Sequence, residues 1–87
     1  AYEDTNFTSG ESPATLDVNI DLGKNGIGGY VANDGPGNIL VEISDDGVTY
    51  GGQHTLGGGE VLDIKKLNID SIRFTYVSPT AYRVFIY

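Results

Sequence analysis

The stretch VEISDDGVTYGGQHTLGGGEVLDI, residues 41–64, gathers the side chains best suited to chemistry, the pair Asp45–Asp46 and the single histidine, His54, among six glycines. A Ser–His–acid hydrolase needs its histidine within hydrogen-bond reach of a serine and an acid. No serine here stands in a G-x-S-x-G elbow, and His54 follows glycines and Gln53, the setting of a solvated imidazole. Adjacent aspartates on a strand point to opposite faces, so Asp45 and Asp46 do not read as the facing carboxyls of a glycosidase. Their side chains instead suit a turn, where Asp bonds to nearby backbone amides.

Metal and phosphate chemistry are equally poorly served. Asp34, Asn38, Asp45 and Asp46 offer the hard oxygens that calcium prefers, but their spacing is not that of an EF-hand loop. One histidine and no cysteine make a poor zinc set. The segment GKNGIGG lacks the Walker spacing and its following Ser/Thr, and an all-β chain lacks the helix N-terminus such a loop needs. The expectation is therefore a protein without catalytic residues, metal or cofactor, and not an enzyme.

The chain that must carry these residues has 87 of them, enough for one small domain. It is 39% hydrophobic and 20% charged, which allows a core, and it has no cysteine for disulfide staples. The formal net charge is −7, and the five cations (Lys24, Lys65, Lys66, Arg73, Arg83) are scattered. That pattern argues against nucleic acid and against an anionic membrane surface as partners. No apolar run approaches the ~20 residues of a membrane span, and the start AYEDTNF has neither the basic nor the apolar region of a signal peptide.

Period-2 alternation organises most of the chain. Residues 1–13 are polar and turn-rich and read as an extended N-terminal arm, with Tyr2 and Phe7 as anchors into the body or a neighbouring subunit. LDVNIDL (16–22) sets Leu16, Val18, Ile20 and Leu22 on one face, as in a half-buried strand. Asn25-Gly26 then reads as a type I′ hairpin turn into IGGYVAN (27–33), whose glycines mark a bulge or close backbone approach. DGPG (34–37) breaks the chain before NILVEIS (38–44), with Ile39, Val41 and Ile43 inward. Asp45-Asp46-Gly47 fits a turn closed by a left-handed glycine, leading to VTYGGQHTL. GGGE (57–60) precedes VLDIKKL (61–67), and two further runs, 69–77 and 81–87, are hinged at Ser78-Pro79-Thr80. No stretch carries an apolar stripe at helical spacing. About seven short strands predict an all-β domain over 14–87, a small antiparallel β-sandwich or jelly-roll-like barrel.

The end of the chain leaves apolar surface to explain. Tyr82, Val84 and Ile86 share one face of the last strand, and Arg83, Phe85 and Tyr87 the other; Ile72, Phe74 and Tyr76 oppose Arg73, Thr75 and Val77. Val77, Phe85 and Tyr87 are more apolar than a solvated face requires, which suits either a second buried layer or an interface. Exposed Tyr30, Tyr50, Tyr76 and Tyr82 offer a different reading, the stacking platform of a carbohydrate-binding or host-adhesion module, although the chain lacks tryptophan.

The run VANDGPGNILVEISDDGVTYGGQHTLGGGEVLDIKKLNIDSIRFTYVSPTAYRVFIY (31–87) resembles a recurring small β-module of tailed-bacteriophage structural proteins. The shared pattern is a strand, an N-D-G-P-G turn, a strand ending in S-x-D-G-V-T, a G-E turn, an apolar strand, an I-x-x-I-R strand and a terminal Y-R-V strand. The resemblance implies a virion part made in the host cytoplasm, foremost a head-decoration protein, with the neck, tail and baseplate as other locations. It further implies a homo-oligomer, a trimer favoured, bound to other virion proteins and above all to the major capsid protein. The pattern contains no catalytic residue. Tyr2, Phe7, Phe85 and Tyr87 are the expected partner contacts.

Overall fold

A computed structural model of the chain describes residues 2–87, with every side chain among them except those of residues 66 and 67. Eight strands make two four-stranded antiparallel sheets. They are β1 (Tyr2–Phe7), β2 (Ala14–Leu16), β3 (Gly26–Asn33), β4 (Ile39–Ser44), β5 (His54–Leu56), β6 (Val61–Ile69), β7 (Ser71–Tyr76) and β8 (Thr80–Ile86). The order is β1-β8-β3-β6 in the first sheet and β2-β7-β4-β5 in the second. The pairs β1–β8, β2–β7, β3–β6 and β4–β5 nest inside one another, as if one long hairpin had been rolled up. That is the jelly-roll form of an all-β sandwich.

Alternation supplies the core. Val31, Ile64, Val84 and Ile86 of the first sheet and Ile39, Val41, Leu56, Ile72 and Phe74 of the second are all buried between the layers. Tyr82 stacks on Phe74 at 4.4 Å between ring centroids, and Phe7 meets the edge of Tyr82 at 5.6 Å. Where β3 and β8 run side by side, Gly29 takes φ 144°, and a Cβ there would lie 1.8 Å from the Phe85 carbonyl oxygen. Only glycine permits that approach.

Several expectations need correction. The alternating segment 16–22 is not one strand: Leu16 ends β2, and Val18–Leu22 form a five-residue helix, α1, capped by left-handed Gly23. The chain must cross here from the second sheet to the first, so the segment finds no strand partner and only Val18 of α1 is buried. Ile20 is exposed, which the alternation did not foretell. Asn25-Gly26 accordingly makes no hairpin, because β3 pairs with β6 and β8 instead. Within the N-terminal segment read as an arm, Tyr2–Phe7 form the edge strand β1 on β8, and the described residues hold eight strands. Gly47, at φ 80°, is left-handed as expected. Among the described residues no helix is long and apolar enough to cross a membrane.

Candidate functional site

The outer face of the first sheet is built by the strand period. Register sets Glu3 beside Arg83, Arg83 beside Ala32, and Ala32 beside Val61; one step along, Phe85 lies beside Tyr30 and Tyr30 beside Asp63. Tyr87 closes the row by backbone bonds to residues 27 and 28, the N–H of Ile27 donating to its carbonyl at 2.7 Å and its own N–H donating to Gly28 at 3.0 Å. A Cβ on Gly28 would fall 2.9 Å from the Tyr87 hydroxyl, so the Tyr87 ring lies across the space this glycine leaves open. Three rings follow one another, Tyr30 to Phe85 at 6.2 Å and Phe85 to Tyr87 at 6.1 Å between centroids.

This row is open to solvent. Phe85 is 45% exposed, Tyr87 54% and nearby Val61 59%, while the inner residues of the same strands already complete a core. A shallow depression of about 330 Å³, lined by Tyr2, Glu3, Tyr30, Arg83, Val84 and Phe85, adjoins it. Both signs of charge lie around the rings, in Glu3, Arg83, Asp63 and Lys65. Arg83 donates two hydrogen bonds to Asp34, and these hold the Asp34 carboxyl below the usual carboxylate range. An aromatic centre with a mixed polar rim is the composition of a protein-contact surface.

Of the four expected contacts, the structure brings Phe85 and Tyr87 together on this face. Tyr2 is half-buried at the sheet edge and donates its hydroxyl to Asp21; burial first, and Asp21 second, push its phenol far up. Phe7 has no exposed surface, so as a partner contact it is corrected: it anchors β1 into the chain's own core. Val77 lies half-exposed just past β7, in the other sheet.

The chemistry-bearing residues do not converge. His54 is exposed on the edge strand β5, opposite Val41, with no hydrogen bond to its side chain among the described residues. Asp46 holds its own turn, one carboxylate oxygen accepting from the Thr49 and Val48 amides at 2.8 Å each and from the Ser44 hydroxyl at 3.0 Å. Those bonds, the Thr49 amide's foremost, lower its pKa. Asp34 is engaged by Arg83, and no group of three or more His, Asp or Glu able to hold a metal occurs among the described residues.

The four tyrosines proposed as one stacking platform are dispersed: Tyr30 and Tyr82 take opposite faces of the first sheet, Tyr76 lies in the second, and Tyr50 lies outside the strands. Tyr82 is buried against Phe74, its hydroxyl pushed up to about 12 by burial, and Tyr76 packs near Phe7. Tyr30 lies on the outer face, and Tyr50 lies under the Arg73 guanidinium, 4.0 Å from its ring centroid.

Sequence reading missed Asn33. It is buried at the end of β3, donates to the carbonyls of Gly37 and Leu56 at 2.8 Å each, and accepts from the Thr80 hydroxyl. An asparagine before D-G-P-G is an ordinary turn residue by composition, and only the approach of β5 and β8 makes it a hub. Comparison with protein-family models, with curated proteins and with solved structures yields no match. Fold and site thus define a class alone: a small jelly roll presenting an aromatic sheet face.

Proposed function

We propose that this chain is a non-enzymatic structural protein of a virion, a decoration protein that seats the outer face of β3 and β8 on an assembled shell. The observation that carries the reading is the row Tyr30–Phe85–Tyr87, its Phe85 and Tyr87 exposed and its Tyr30 half-buried, on a sheet whose other face already fills the core. Large aromatics at the centre of a contact commonly supply most of its energy. Jelly rolls recur in viral capsid domains, an analogy of architecture that supports the reading only at the level of fold. On a lattice, a symmetric oligomer of such a module, a trimer foremost, multiplies modest contacts into firm attachment. The net charge of −7 keeps unattached subunits apart in solution.

The test is pelleting of the purified chain with particles of the phage that encodes it. The wild type should sediment with the particles, and a Phe85→Ser/Tyr87→Ser double variant should remain in the supernatant while melting as the wild type does. Co-sedimentation of the folded double variant at wild-type levels would remove this face from the interaction.

A further inference from the structure

At one end of the sandwich the 45–53 loop between β4 and β5 meets the ends of β4 and β6. They enclose an open concavity of about 420 Å³ lined by Ile43, Asp45, Thr49, Tyr50, Gly51 and Asn68. That volume falls within the roughly 300–1,000 Å³ of small-molecule sites. None of these residues belongs to the aromatic face described above.

The concavity is held rigidly from behind. Asn25 donates to the Asp45 carbonyl at 3.1 Å and to Asn68 Oδ1 at 2.8 Å, and itself accepts from Asn19 at 2.6 Å. The Gly51 amide donates to Ile43 at 3.0 Å, and Tyr50 bridges to Ser44. Arg73 covers one face of the Tyr50 ring and is fixed in turn by two hydrogen bonds to Glu42, at 3.1 and 3.0 Å. Ring and loop are thereby positioned before any ligand arrives, which lowers the ordering cost of binding.

The lining itself is left with unused hydrogen-bonding capacity. Among the described residues the Asp45 carboxylate, the Thr49 and Tyr50 hydroxyls and the Asn68 amide nitrogen make no hydrogen bond, although Asn25 fixes the orientation of Asn68. A carboxylate accepts, a primary amide donates twice, and hydroxyls do both. Beside them are the apolar surfaces of Ile43 and the Tyr50 ring. A ligand matching this set is a ring with one C–H face and several neighbouring hydroxyls. Among the described residues no cation lines the concavity while Asp45 does, in a chain of net charge −7, which favours a neutral ligand over an anionic one.

We propose that this concavity binds a neutral pyranose, the Tyr50 ring packing on its C–H face and Asp45 and Asn68 hydrogen-bonding adjacent hydroxyls. The site is separate from the docking face, and either can fail without the other. The probes are the methyl glycosides of glucose, galactose and mannose, N-acetylglucosamine, and N-acetylneuraminic acid as the anionic arm, each titrated at millimolar concentration into the isotope-labelled full chain. At least one neutral probe should give saturable amide shifts confined to residues 43–51 and Asn68 and its neighbours. Asp45→Ala, whose side chain makes no internal bond, should weaken binding about tenfold or more, the size of a lost hydrogen bond to a charged group. Tyr50→Ala should do the same, and the Phe85→Ser/Tyr87→Ser variant should bind as the wild type does. Absence of saturable shifts with every neutral probe, shifts centred elsewhere, binding unaltered by Asp45→Ala, or equal binding of the anionic sugar would each overturn the assignment.

Discussion

Asp46 stabilises the 44–49 turn as a carboxylate, and its pKa is lowered by the Thr49 and Val48 amides it accepts from. A group whose folded pKa lies below its unfolded one contributes stability above the unfolded value of about 4, and loses it as pH falls through the lower folded value. Asp34 and Glu42, lowered by hydrogen bonds from Arg83 and Arg73, act in the same sense. Melting temperature should therefore be level near neutrality and decline once pH drops below about 4. Asp46→Ala should lower the plateau and flatten the decline, and a melting series against pH reads both. Asn33→Ala removes the partner of the buried Leu56 carbonyl and of the part-buried Gly37 carbonyl, and should cost about 1–3 kcal/mol for the buried group left unsatisfied. Phe7→Ala vacates a fully buried aromatic site and should cost about 3–5 kcal/mol in urea unfolding.

At the scale of elements, β1 decides whether the N-terminal segment is dispensable. It covers the edge of β8 and brings Phe7 onto Tyr82. Deleting residues 1–8 should leave a chain with an uncovered β8 edge that unfolds without a sharp transition and aggregates, read by melting and light scattering. A cooperative, monomeric truncation would show that β1 is an accessory. What the sequence made legible follows the same logic. The inward sets Ile39–Val41, Ile72–Phe74 and Tyr82–Val84–Ile86 were readable because a two-sided strand writes its faces at period 2. That Phe85 and Tyr87 lie off the core-facing side was readable from that same register, but whether a second layer covers them was not. Segment 16–22 misled because alternation does not say whether a partner strand is within reach, and here the chain is changing sheets. The nested pairing of β1 with β8 and β2 with β7 joins residues far apart in the chain. No local pattern encodes it. For the same reason Phe7 was legible as an anchor, but the sequence left open whether into its own body or into a neighbour.

The whole molecule is a two-layer body with different surfaces on different sides: an aromatic sheet face on the first layer and a polar concavity at one end. Its exposed carboxylates, where they are bound, hold turns (Asp46), an ion pair (Asp34) or the Tyr2 hydroxyl (Asp21). Function by attachment asks for such a body, since a contact surface on sheet strands needs little reordering when it docks. The most direct measurement is hydroxyl-radical footprinting of the side chains, free and on the virion particle that the proposed function calls for, read by mass spectrometry. Phe85 and Tyr87 should be oxidised in the free chain and protected on the particle, with Val48, on the 45–53 loop, oxidised equally in both. Equal oxidation of Phe85 and Tyr87 in both states, with the chain shown to be bound, would contradict the docking face and with it the proposed mode of attachment.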